Sequence, residues 1–221
     1  VIAKTSETYP MIRFGPLRFL DSANFIKAPL AGMIASHRKT SDNLSCAFPR
    51  MRQHHPWASD ETLELLLQKS PMPFSSMIDH ASFDHPALFP QHAYDSALSG
   101  EACSEEAYNK VREIVQRFEL TSFGDYHDLY LYTDALALAD CFEAFRHTFY
   151  NEHGLDVAHF VSMPSASMNA MLLKTGAAIE LVVESNGGWD SMNDVNHQRW
   201  LVVHLPTLRK GQQSHYEGLR R

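Results

Sequence analysis

The longest regular apolar pattern lies in residues 124–146, GDYHDLYLYTDALALADCFEAFR, and continues a short way beyond. Leu131, Ala135, Leu138, Phe142, Phe145 and Phe149 recur at three- and four-residue steps, the period of one helix face. The pattern predicts a long helix with this stripe turned inward. Asp125 reads as its N-cap and Gly154 as its stop. On such a helix Tyr130 and Asp134 are i,i+4 neighbours and share one face.

Shorter patterns surround it. Residues 11–21, MIRFGPLRFLD, predict one or two short strands punctuated by Gly15-Pro16. Asp21 to Phe25 reads as a turn, with Ser22 as a cap. Leu30, Met33 and Ile34 predict a short helix with Pro29 in its first turn. Residues 40–58 are polar and read as loop. Ser59 caps a helix expected to run through Lys69, with Asp60 and Glu61 in its first turn and Leu63, Leu66 and Leu67 as its buried stripe. Residues 72–100 read as irregular, broken by Pro86 and Pro90. Ser104 caps a further helix whose apolar face is Ala107, Val111, Ile114, Val115 and Phe118. Ser165 is the expected cap of a last helix, with Met168, Met171, Leu172 and Leu173 as a packing face and Gly176 as its end. Residues 184–221 show no helical or strand period of useful length.

Composition narrows the class. With 221 residues, 44% of them hydrophobic and 20% charged, the chain has enough apolar material for one real core. No run of about 18 apolar residues suggests a membrane span. No leader is visible, and Cys46, Cys103 and Cys141 form no framework, so an intracellular, reducing setting is expected. The net charge of −7 argues against a free-standing non-specific DNA binder, which needs a basic surface.

The candidate chemistry is the Tyr130–Asp134 pair. A phenol hydroxyl beside a carboxylate can orient a water next to a metal ion, as phosphodiester hydrolysis requires. Alone, Tyr-x-x-x-Asp is a short pattern that many inert helices carry. His54, His55, His80, His85 and His92 follow no zinc spacing and read as solvated loop residues.

The full string GDYHDLYLYTDALALADCFEAFR resembles the third exonuclease motif of family-B DNA polymerases. The likeness is greatest to the protein-primed branch found in organellar plasmids, viruses and self-synthesising transposons. It covers about residues 11–183 and is strongest over 121–175. It implies an α/β fold: a partial ribonuclease-H-like 3′-5′ exonuclease domain, mostly helical in this stretch. Residues 1–153 would be the partial exonuclease domain, with a variable loop at about 72–100. Residues 154–183 would connect toward the polymerase palm, and 184–221 would be an atypical tail.

The resemblance also implies roles. Asp134 would be a metal ligand and Tyr130 would orient water. Ser22, Asn24 and Phe25 would contact single-stranded DNA or the priming protein, although Ala23 stands where the family carries Leu. Met168 stands where an aromatic residue is usual. The implied cofactor of the intact enzyme is Mg²⁺ or Mn²⁺. The implied partners are DNA, deoxynucleotides and a terminal priming protein, with no membrane partner. The family draws its carboxylates from three motifs, and the first two, an Asp-x-Glu strand and an Asp after an Asn-rich turn, do not occur here. The palm motifs are absent too. The isolated chain is therefore expected to be a catalytically inactive fragment of a DNA polymerase with a proofreading region. Val1 in place of a starting Met agrees with a fragment.

Two other readings stand beside this one: a non-enzymatic transposon-derived remnant or interaction module, and a small metal hydrolase built on Asp134 and nearby histidines. The tail carries a separate expectation. Pro206 to Arg221 can be encoded so that the next reading frame spells Arg-Arg-Tyr-Ala-Lys-Ala-Asn-Asn-Pro, close to a run in family members. A frameshift between Glu184 and Gln198 would explain it.

Overall fold

The computed structural model describes residues 11–41, 43–68, 70–97 and 99–177. Lys69 and the tail 184–221, with the frameshift expectation attached to it, lie outside the described residues. The chain divides into two units. One holds residues 28–143; the other combines the chain up to Lys27 with the chain from Ala144 onward.

In the 28–143 unit, helix α1 (Leu30–Arg38) begins directly after Pro29, which occupies the N-cap position rather than the first turn. Residues 40–58 are not the loop that their polarity suggests. They form α2 (Leu44–Ala47) and α3 (Pro49–His54), and they contribute Leu44, Ala47, Phe48 and Met51 to the core. The Asn43 side chain caps α2 by accepting from the Ser45 and Cys46 amides. Few but fully buried apolar residues thus outweigh many exposed polar ones. His55 is buried rather than solvated, and burial, then the neighbouring His54, pulls its pKa below the ordinary histidine value.

Helix α4 (Asp60–Leu67) has the expected cap: the Ser59 hydroxyl accepts from the Thr62 amide. Its expected stripe is buried, together with Leu65. Helix α5 (Glu105–Arg117) is capped by Ser104 and turns Val111 and Ile114 fully inward. The segment between them has little regular structure but is not a loose insertion. Three short 3-10 turns at Phe74–Ser76, His80–Asp84 and Gln91–Tyr94 carry it across the core, where Met72 and Tyr94 are buried. It is held by its own polar groups. Asp79 and Ser82 cap each other reciprocally, Gln91 Nε2 donates to the Cys103 carbonyl at 2.8 Å, and the Tyr108 hydroxyl donates to the Phe89 carbonyl at 2.9 Å.

Helix α6 runs from Phe123 to His153; its residues up to Glu143 belong to the 28–143 unit. Ser122, not Asp125, is the residue before the helix. The Ser122 hydroxyl accepts from the Asp125 amide at 3.1 Å, and the Asp125 carboxylate accepts from the Ser122 amide at 2.9 Å. That reciprocal pair is a capping box with Asp125 as its inner member. The bonds from Ser122 and Thr121 hold the Asp125 carboxyl down at about 2. Gly124 sits at a close approach: a Cβ there would meet the Phe83 carbonyl oxygen at 3.3 Å, so a larger residue would press on that backbone. At the far end the helix stops at Gly154, whose φ of +69° is the left-handed conformation that glycine adopts without strain.

The second unit contains the expected hairpin, β1 (Met11–Phe14) and β2 (Leu17–Leu20), paired antiparallel with Ile12 opposite Phe19 and Phe14 opposite Leu17. This is the only sheet among the described residues, so helices dominate them. Arg18 of the hairpin donates to the Ala158 carbonyl at 2.5 Å. Within α6, Arg146 bonds the buried Asp156 at 3.0 and 2.5 Å. Helix α7 (Met163–Thr175) starts earlier than expected. Ser162 precedes it, Pro164 fills its first turn, and Ser165 lies inside the helix. Ala166, Asn169, Ala170 and Leu172 form its buried side; of the expected packing face only Leu172 is buried, and Met168, Met171 and Leu173 are exposed. Gly176 closes it as expected. No helix among the described residues is long and apolar enough to cross a membrane.

Candidate functional site

The first half of α6 is apolar on more than one side, so its sequence permits several buried stripes. The structure selects Phe123, Tyr126, Thr133, Ala137 and Cys141, which meet α3, α4, α5 and the 72–94 segment in the core. Leu131 and Ala135, the start of the expected stripe, face outward, and Leu131 is 56% exposed. The stripe is thus rotated by about one residue from the periodic reading.

That rotation sets the surroundings of Tyr130 and Asp134. Both are half-buried and line a cavity of about 240 Å³, walled by residues of α1, α4, α5 and α6. The Tyr130 phenol and the Asp134 carboxyl lie close enough for each to perturb the other. Burial pushes the Asp134 carboxyl above the usual carboxylate range, and the neighbouring Tyr130 phenol only partly offsets it. Burial, then the Asp134 charge, pushes the Tyr130 phenol up as well. The pair therefore meets the geometric expectation of a shared face on one concavity.

Two neighbours belong to the same picture. Thr133 lines the cavity, is 7% exposed, and its hydroxyl has no hydrogen-bond partner. Tyr126, deeper on the same face, is satisfied by donating to the Pro71 carbonyl at 2.8 Å. Sequence reasoning passed over Thr133 because a threonine inside an apolar helix gives no chemical signal until its partners are known. It passed over Asp140 for the same reason. That carboxylate is 3% exposed and accepts from the Arg50 and Met51 amides at 3.2 and 3.3 Å, and from Arg50 Nη1 at 3.0 Å. It caps α3 from a distant part of the chain, and no ligand is needed to satisfy it.

Ser22, Asn24 and Phe25 belong to the other unit. They form a 3-10 turn and its end, capped by the Asp21 carboxylate accepting from the Ala23 amide at 2.9 Å, so Ser22 is not the cap. Ser22 and Asn24 are half-buried. Phe25 is 5% exposed, so its ring is not presented for stacking on a base.

The donor set also bears on the implied cation. A pair of divalent ions needs several carboxylate oxygens. The cavity offers the single carboxyl of Asp134, and the described residues contain no cluster of three or more acidic, histidine or cysteine side chains arranged for a metal. These residues alone do not fit a two-ion centre. The histidines do not help: His54 faces His55 and Tyr132, and His85 faces Phe89.

No protein-family model, no curated protein and no solved structure matches the chain.

Proposed function

We propose that this chain is part of the proofreading region of a protein-primed, family-B DNA polymerase, and that Tyr130 and Asp134 are its contribution to the 3′-5′ exonuclease site. The observation that carries this reading is the pairing of the two side chains, i,i+4 on α6 and facing one cavity, within a string that resembles the family's third exonuclease motif. Asp134 supplies one carboxylate, and Tyr130 fixes its orientation and presents a phenol to water. The remaining carboxylates would come from sequence outside this chain, so the chain by itself neither trims nor extends DNA. In the intact parent the fold would be completed as a ribonuclease-H-like domain, with Mg²⁺ or Mn²⁺, DNA and a priming protein as its partners.

A non-enzymatic interaction module is the second reading. It is favoured by the hairpin, whose Phe14 and Phe19 are 78% and 59% exposed. The coding DNA on either side separates the two readings. In-frame Asp-x-Glu and palm motifs support the polymerase; stop codons close to both ends support the remnant. In a protein carrying those motifs, Asp134→Ala should abolish 3′ trimming of single-stranded DNA and spare nucleotide addition. Trimming that survives the substitution would overturn the assignment.

A further inference from the structure

The cavity holds one carboxyl against which no described residue places a cation, and it is otherwise greasy. Its apolar wall is Leu30, Ile34, Leu66, Leu67, Ile114 and Leu129. Asp134 and Thr133 line the same cavity. Among the described residues no arginine, lysine or histidine is placed against Asp134, whose polar neighbour is the Tyr130 phenol. The two fully buried carboxylates among the described residues are both matched: Asp140 by Arg50 and two amides, Asp156 by Arg146 and the Ala158 amide.

We propose that this cavity is a binding site for a compact organic cation, a primary amine carrying one aromatic ring or a branched alkyl group of similar size. An ammonium has three donors and no acceptor. The Asp134 carboxyl, which meets no cation among the described residues, is the acceptor for it, and that bond would be charge-assisted. The body of the ligand covers the leucine and isoleucine wall. Size sets the limit: a cavity of about 150 Å³ accepts one benzene ring, so about 240 Å³ leaves room for a ring and a short aminoalkyl arm. An anion would meet the carboxylate. A neutral apolar molecule would remove water from the carboxylate and give nothing back. A lone divalent ion would leave the apolar wall uncovered and find only one carboxylate.

This inference does not depend on the nuclease reading. Its test uses the whole chain, with a chelator present and no DNA. Phenethylamine is titrated by calorimetry near neutral pH, beside 2-phenylethanol, which has the same shape without the charge. The amine should bind one saturable site about tenfold or more tighter than the alcohol. Asp134→Asn should remove that preference, leaving amine and alcohol about equal. Circular dichroism confirms that the variant is folded; should Asp134→Asn fail to fold, the amine-to-alcohol ratio in the unaltered chain decides. No saturable binding of the amine, equal binding of amine and alcohol, or a preference that survives Asp134→Asn would each overturn the proposal.

Discussion

Asp134 and Asp140 stand close together on α6, yet their surroundings are opposites. Asp140 is buried and accepts from a guanidinium and from two backbone amides that would otherwise be orphaned at the start of α3. Asp134 is only half-buried, lines a cavity, and meets a phenol but no cation among the described residues. The more deeply buried carboxylate is the structural one. The distinction between a group that holds the fold and a group available for chemistry therefore rests on what satisfies it, not on how far it is from water.

The largest effect is expected in the other unit. Asp156 resembles Asp140: its side chain is 4% exposed, and Arg146 grips both of its oxygens. Arg146→Met would leave a buried charge unpaired and should lower the unfolding free energy by about 3 kcal/mol. The pH profile adds a second check. Burial raises the Asp156 pKa, but the bonds from Arg146 and the Ala158 amide outweigh it, so the folded value lies below the ordinary one. Its stabilisation is therefore complete above the unfolded carboxylate pKa of about 3.9 and is lost as pH falls through the lower folded value. Urea unfolding across that acid range should show the slope in the native protein and lose it in Arg146→Met.

Thr133 sharpens the comparison on the cavity side. Its buried hydroxyl bonds to nothing, so Thr133→Val should raise stability by about 1 kcal/mol at neutral pH, measured by urea denaturation. A loss of stability would mean that the hydroxyl is satisfied in solution. The smallest effect is expected at the start of α6. Ser122→Ala removes the cap bond to the Asp125 amide and should cost about 0.5–1 kcal/mol by thermal melting. It should also let the Asp125 pKa rise from its held-down value of about 2, because bonds from Ser122 contribute to that depression.

Much of the helical frame was legible in the sequence, because capping is a local code. Ser59 and Ser104 each bond the amide three residues on, and Gly154 and Gly176 each end a helix in the left-handed conformation. What was illegible depends on distant partners. Nothing local tells that Phe48 and Met51 are core residues in a polar stretch, or that Asp140 caps a helix far back in the chain. That Tyr130 and Asp134 share one face was legible from their i,i+4 spacing, whereas a role for them rests on the resemblance of the longer string. Thr133 was not legible, and the buried side of the first half of α6 was misplaced while Phe149 farther along is buried as expected, because a helix apolar on several sides takes its orientation from the neighbours it packs against.

If α6 uses Asp140 for structure and leaves Asp134 available for a ligand or for chemistry, urea unfolding of Asp134→Asn and Asp140→Asn, measured side by side at neutral pH, should separate the two carboxylates. Asp140→Asn should lose about 2 kcal/mol, since it sacrifices charge-assisted bonds to Arg50 and to buried amides. Asp134→Asn should match or slightly exceed the unaltered chain. The folded state raises the Asp134 pKa, so its charge costs stability above that value and costs nothing once pH falls below the unfolded carboxylate value. A loss for Asp134→Asn as large as that for Asp140→Asn would show that Asp134 is a structural residue and would contradict the account.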